Sequence, residues 1–438
     1  MVLSMVPNSD PSQRRASDED SFSLSLTLRA LRHRNFRLFI GGQVVSLTGT
    51  WMQSVAQSWL VYTLTGSSLL LGSVGFAGQF PIFLLAFVGG AVADRYRRHR
   101  VVVTAQVALM LLAFVLAGLT LLGIVKVWHV FVLAALAGTV NAFEIPARQS
   151  FFVELVGKED LMNAIALNSS MFNSARILGP TVAGILVASI GEGWCFFSNG
   201  MSYLAVIIGL LMMRLPSYRQ PVHSGTAISQ IVEGFHYVRR TKAIRALLLM
   251  LGLSSAMGMP YTVLMPIFAD RILHGGARGL GILMGASGIG ALIGALILAG
   301  RPSVRGLGQW TGYSCAGFGI SLILFASSRF FWLSTFFIMP VGLFMMLQLG
   351  CVNTLIQDVV PDRLRGRVMA FHSMMFIGMA PFGSFFAGLI AERLGAPLTV
   401  SLGALGCFVV AVVFLFKLPD LGMTGRGGVI GSSNLPVE

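Results

Sequence analysis

Residues 166–184 read ALNSSMFNSARILGPTVAG, and residues 370–388 read AFHSMMFIGMAPFGSFFAG. Laid over each other without gaps, at an offset of 204, they match at seven of 19 positions. Ala166, Ser169, Met171, Phe172, Gly179, Ala183 and Gly184 pair with Ala370, Ser373, Met375, Phe376, Gly383, Ala387 and Gly388. Each stretch lies in an apolar run long enough to cross a hydrocarbon core, which takes roughly 20 residues. A span that recurs half a chain later implies a chain built twice, with both copies running the same way through the membrane.

Composition agrees. The chain has 438 residues, 55% hydrophobic and 11% charged, with a mean hydropathy of +0.79, whereas a soluble domain carries roughly 25% charged residues. Spans are expected at 37–62, 68–93, 101–122, 128–150, 162–190 and 194–213. A second set follows at 244–269, 280–299, 308–327, 330–356, 366–391 and 397–416. The expected fold is therefore an all-α integral membrane protein of twelve transmembrane helices in two pseudo-symmetric six-helix bundles, 36–213 and 244–417. Tails at 1–35 and 418–438 flank them, and 214–243 links them. The first 26 residues lack the apolar run of a signal peptide and read as a disordered tail. In the linker, Ile228, Ile231, Val232, Phe235 and Val238 share one helical face, an amphipathic helix for the membrane surface. Arg239, Arg240, Lys242 and Arg245 follow it and suit anionic lipid.

A net charge of +14 and a pI near 10.5 would fit nucleic-acid binding if the basic residues were clustered on a soluble face. They are not. With the N-terminus inside, five of the 31 Lys and Arg fall in outer loops (Lys126, Arg271, Arg278, Arg329, Arg393), Arg176 falls within a span, and the other 25 fall on inner segments. This positive-inside asymmetry explains the basic pI, excludes a nucleic-acid partner, and puts both termini in the cytoplasm of a cell whose inner membrane the chain crosses. Cys195, Cys315, Cys351 and Cys407 show no metal or redox spacing, and no metal or other cofactor is expected. The Gly-rich run from Gly279 to Gly294 follows no strand and lacks the Gly-Lys-Ser/Thr ending of a phosphate loop, so ATP does not drive the chain directly.

Ionisable residues inside a bilayer cost roughly 2.5–3.5 kcal/mol each at mid-depth on insertion scales, which makes them candidates for function. Glu144 lies deep in the fourth span, with Asn141 before it and Arg148 one turn on; Arg176 is central in the fifth. Glu144 can pair with Arg148 or with Arg176, as a protonation or cation site or as simple neutralisation, and Arg176 can anchor an anionic group. In the first span Gln43, Ser46, Thr50, Gln53 and Gln57 advance by three and four residues and form one stripe. Lipid excludes such a stripe, so it faces a water-filled cavity or another helix. With Asn141 and Tyr261 these residues are the candidate cavity lining.

The loop after the second span runs Gly90, Ala91, Val92, Ala93, Asp94, Arg95, Tyr96, Arg97, Arg98, His99, Arg100. This resembles the signature of the major facilitator superfamily, a Gly followed four residues later by Asp-Arg and a basic cluster, with Arg97 where the family usually has Gly. The resemblance implies that Gly90, Asp94, Arg95 and Arg98 form a latch against the start of the eleventh helix, near Asp362 and Arg363, while the cavity faces outward. Gly90 would permit close helix approach. Gly179, Pro180 and Gly184, with Ala175 and Ala183, resemble the fifth-helix motif of exporters, and as small residues they also suit plain helix packing. The run from Asn141 and Glu144 through Pro146, Arg148 and Glu154 to Arg176 resembles the secretion-transporter branch that includes the enterobactin exporter. Proton-coupled drug antiporters carry an Arg in the fourth span where this chain has Ala135.

Three functions remain open on sequence. One is a secondary exporter of a small amphipathic molecule, siderophore- or drug-like and with protons as a candidate coupling ion, working as a monomer. A second is a nutrient importer of the same fold. The third is a non-transporting receptor or assembly protein. An enzyme is not expected, since no nucleophile, base or metal cluster assembles within the spans.

Overall fold

The computed structural model describes residues 29–157, 159–215, 227–301 and 303–419, and these form helices with no strand among them. The first bundle holds α1 (Arg34–Thr65), α2 (Ser68–Arg95), α3 (Arg98–Leu121), α4 (Val127–Val156), α5 (Leu161–Ile190) and α6 (Glu192–Leu211). The linker carries α7 (Ala227–Arg240). In the second bundle the seventh span is broken into α8 (Lys242–Gly258), α9 (Tyr261–Ile267) and a π turn, Phe268–Ile272. Pro260 and Pro266 lie in that span, and neither can donate the backbone hydrogen bond that would continue a helical ladder. Then come α10 (Gly276–Ala299), α11 (Leu307–Ser327), α12 (Phe331–Val359), α13 (Asp362–Leu394) and α14 (Ala396–Lys417). Eleven of these spans are long and apolar enough to cross a membrane by composition alone. The twelfth is α1, 32 residues long, whose hydropathy is lowered by its polar stripe. α4 overruns its expected end at 150 and continues to Val156.

The packing repeats as the sequence does. In the first bundle α2 lies on α4, α3 on α4 and α6, and α1 on α5 and α6; in the second, α10 lies on α12, α11 on α12 and α14, and α8 on α13 and α14. Moving every span six places along converts one set into the other. The bundles meet along two seams, α5 on α10 and α13 on α2. Each seam closes at a pair of glycines: a methyl on Gly184 would stand 2.9 Å from the Gly281 Cα, and one on Gly388 would stand 3.0 Å from the Gly72 Cα. Only the missing side chains let these backbones cross so closely. Gly184 and Gly388 are themselves a matched pair of the repeat, so the internal likeness is also a repeated contact.

Both described chain ends lie on one side of the bundles, together with the Arg95–Arg100 and Arg363–Arg367 clusters; we call it the basic face and the opposite side the far face. The glycine crossings are at the far face. On the basic face Asp160 gathers Arg29 at 2.9 Å, Arg32 at 2.7 Å and His33 at 2.7 Å, which pins the segment before α1 to the start of α5. The linker helix docks differently from its sequence pattern. Glu233 pairs with Arg363 at 3.1 Å and with Arg367, buried Gly234 packs on Arg367 and Phe371, and the apolar Val232 and Phe235 are left about half exposed. Ile228 and Ile231 lie outside the residues whose side chains are described, as do the tails at 1–28 and 420–438.

Candidate functional site

Arg176 stands at the middle of α5, about 22 Å from either end at the helical rise of 1.5 Å per residue. Its guanidinium lies 5.9 Å from the centre of the Trp51 ring on α1, 3.7 Å from the Met345 sulfur on α12, and beside the Tyr261 hydroxyl on α9. Trp51 is held edge-on by Phe172 at 5.6 Å. Tyr261 is 2% exposed and shares a hydrogen bond of 3.0 Å with Ser287 on α10. A residue of the first bundle thus touches two helices of the second at mid-depth, and among the described residues no carboxylate lies within ion-pair distance of it. The other seam is aromatic. Phe76 and Phe80 of α2 stack at 4.7 Å, and Phe382 of α13 meets Phe80 at 6.0 Å and Phe83 at 5.7 Å.

Of the two partners open to Glu144, the structure selects Arg148. Glu144 is 3% exposed; its Oε1 takes Arg148 Nε at 2.8 Å and accepts from Gln106 Nε2 at 3.3 Å. The (i, i+4) spacing puts both on one face of α4, while Arg176 turns to the inter-bundle seam. Asn141 is half-buried on α4 without a hydrogen bond to a described residue.

Of the two surroundings open to the α1 stripe, another helix meets its middle. Gln43 and Ser46 are buried, at 4% and 3% exposure. Gln53 accepts from Asn199 Nδ2 at 2.7 Å, and the Thr50 hydroxyl is 3.4 Å from that of Tyr203. Asn199 and Tyr203 belong to α6, so Thr50 and Gln53 face α6 inside the first bundle instead of the space between bundles, and Gln57 is half-buried. Spacing places the residues on one face; α6 decided which neighbour they meet, because its own polar groups would otherwise be unpaired in hydrocarbon.

The loop signature divides between exposed residues and one bound inside the first bundle. Gly90 borders open space, and the close approach belongs to its neighbour Gly89, which packs on the Ala142 carbonyl of α4. Asp94 and Arg95 are exposed, and no basic group of a described residue lies within ion-pair distance of Asp94. The Asp362 side chain is outside those described. Arg98 is engaged inside the first bundle, with Glu154 at 2.8 Å and the Ser150 carbonyl at 3.4 Å. Arg97 sits at φ −60°, which any residue adopts, so the turn needs no glycine there. In the fifth span Gly179 packs on α1, where a methyl would meet the Thr48 carbonyl at 2.8 Å and Met52 N at 3.0 Å. Gly281 of α10 packs on the Pro180 carbonyl as well as on Gly184, so the motif serves both neighbours.

Sequence reading missed the polar contacts that join the bundles at the far face. The Tyr62 hydroxyl donates to Asp270 at 2.7 Å, and Arg271 lies 5.6 Å over the same ring. Glu392 accepts from Ser67 Oγ and Leu69 N, both at 3.1 Å, at the N-terminus of α2, where the helix dipole favours a carboxylate. The available signal was an acid beside an arginine at the end of a span, Asp270–Arg271 and Glu392–Arg393.

Residues 25–425 match the transmembrane secretion effector family. The chain is 26% identical over 387 residues to the staphyloferrin A transporter of Staphylococcus aureus, covering 87% of this chain and 95% of that one. It is 28% identical over 401 residues to the multidrug efflux pump Tap of Mycolicibacterium fortuitum, covering 86% and 95%. Its fold is that of the nucleoside transporter NupG, with a TM-score of 0.71 over 90% of this chain and 99% of that one at 14% identity. A match over nearly the whole chain, on a twelve-span doubled bundle, makes this protein a member of the transmembrane secretion effector family of major facilitator transporters, a multi-pass membrane carrier of small molecules and not an enzyme.

Proposed function

We propose that this transporter exports a small amphipathic molecule with an anionic group, siderophore-like in character, by rocking the two bundles about a site at Arg176. The observation that carries the reading is the guanidinium itself: mid-depth, between the bundles, set among an indole, a thioether and a phenol, with no carboxylate among the described residues to neutralise it. A carboxylate or catecholate on the substrate supplies the missing charge, and Trp51, Met345 and the α2/α13 phenylalanines receive its apolar part. The staphyloferrin A relative supports this class.

The basic face is cytoplasmic, as its arginines favour, and the state described is sealed at the far face and faces inward. Asp94, Arg95 and Gly90 engage the start of α13 when the protein turns outward, with Arg98 holding the loop to α4. Glu144 is the buried membrane carboxylate available to couple a proton, and the monomer is the working unit. A second reading, export of a neutral or cationic drug, draws on the aromatic seam and on the efflux-pump relative.

Proteoliposomes loaded with an anionic siderophore on the basic-face side test the proposal. Arg176→Gln abolishes efflux, and Arg176→Lys retains part of it. Full efflux of anionic substrate by Arg176→Gln overturns the anion site; efflux of neutral drugs alone favours the second reading; uptake instead of efflux makes the chain an importer.

A further inference from the structure

A cleft on the basic face lies away from the inter-bundle site. α2 and α3 splay apart beyond the two-residue turn that joins them, while both pack on α4. This leaves a cleft of about 720 Å³ between them, floored by α4, within the size range of small-molecule sites. Its mouth on the basic face carries Arg95, Tyr96, Arg97 and Arg100. Its walls are mainly apolar: Val101, Thr104 and Ala108 follow one face of α3, and Val140 and Phe143 of α4 close the depth. From Arg97 to Ala108 the groove runs about 16 Å along the helix. A cationic mouth over an apolar groove of that depth is the outline of an anionic amphiphile with one chain.

From this geometry we infer that the α2/α3 cleft is a binding site for an anionic phospholipid of the surrounding bilayer, its phosphate at Arg97 and Arg100 and one acyl chain in the groove. The position selects lipid over transported substrate, because α3 packs within the first bundle only and makes no seam with the second. The cleft therefore faces the perimeter of the protein. Arg97 and Arg100 pair with no acid among the described residues; the nearest acid in sequence, Asp94, is exposed and does not line the cleft. The other bundle makes the comparison. Four residues into α11, where α3 has Val101, stands Trp310, and Arg301 lies 4.4 Å over its ring and bonds to the Ser303 carbonyl at 3.0 Å. There the corner holds a protein ring and its own cation; in the first bundle it is left for a ligand. Basic pockets between spans suit anionic headgroups.

The test is native mass spectrometry of the purified full chain, delipidated and then titrated with phosphatidylglycerol, phosphatidylcholine, and glycerol phosphate as a tailless probe. Phosphatidylglycerol is expected to be retained in preference to phosphatidylcholine, and glycerol phosphate is not expected to compete. Retention falls about 30-fold in Arg97→Gln/Arg100→Gln. It falls similarly in Thr104→Trp, which fills the groove at an exposed position and spares the arginines, and in Ala108→Leu as a milder filler should the first misfold. Loss in the arginine variant with full retention in both groove variants would reduce the effect to general attraction by a basic loop and overturn the site, as would equal retention of the two lipids.

Discussion

The Tyr62 hydroxyl donates to Asp270 at 2.7 Å and so ties the end of α1 to the π turn of the seventh span across the far face. A hydrogen bond to a charged group contributes about 1.5–3 kcal/mol. Tyr62→Phe leaves the ring and removes the bond, and is expected to shift the equilibrium toward the state open at the far face by about tenfold or more. Glu392→Gln acts in the same direction by weakening the cap on α2. Distances between spin labels across the far face, in wild type and variants, read the population; an unchanged distribution in both variants contradicts a gating role for these contacts.

Gly89 and Gly90 offer a paired test of which glycine the α2/α4 contact needs. Gly89→Ala sets a methyl against the Ala142 carbonyl, where overpacking costs about 1–3 kcal/mol, whereas Gly90→Ala meets nothing in this state. The unfolding midpoint in detergent is expected to drop for the first and to hold for the second. Gly90→Ala should instead depress transport if Gly90 makes its contact only in the outward state.

Glu144 and Arg148 form a buried pair, and removing one partner strands the other at a cost of about 3–5 kcal/mol. Glu144→Gln and Arg148→Met are each expected to lower the unfolding midpoint, and the double variant Glu144→Gln/Arg148→Met to recover most of it. Gradient-driven transport is expected to stay lost in the double variant. Recovery of both would limit Glu144 to neutralising Arg148.

Asp160 gives the pH dependence. The hydrogen bond from His33, with Arg29 and Arg32 beside it, holds its carboxyl below the usual carboxylate range against the opposing effect of burial. A depressed folded-state value means that its contribution is present above the ordinary carboxylate pKa of about 4 and is lost as the pH falls through the depressed one. Hydrogen exchange at residues 29–33 is therefore expected to be slow at neutral pH in wild type and fast in Asp160→Asn, with the difference closing only below about pH 4. A difference that closes well above pH 4 would contradict the depressed carboxyl of Asp160.

Glu233 clamps the linker helix to α13 through Arg363 and Arg367. Glu233→Gln is expected to expose α7 to proteolysis at the linker and to leave the helix content unchanged; equal cleavage in wild type and variant would deny the clamp a structural role.

Hydropathy and spacing carried much of this protein. The span number, the doubling, and the presence of Arg176 and Glu144 at membrane depth are all read along the chain, because solvent and helical period act on each segment where it stands; the family came from motif resemblance. Small residues at 179 and 184 were legible as a packing face for the same reason. What faces what was not legible. The α1 stripe had to meet some polar surface, and only the packed bundle shows that Asn199 and Tyr203 of α6 supply it. Glu144 had two arginines within reach of the argument, and only the direction of α5 sends Arg176 to the other bundle. The far-face ties of Tyr62 to Asp270 and of Glu392 to Ser67 join residues more than 200 positions apart. Such partners are chosen when helices that share no local pattern are brought side by side, so the tertiary structure alone decided which charges are paired among the described residues.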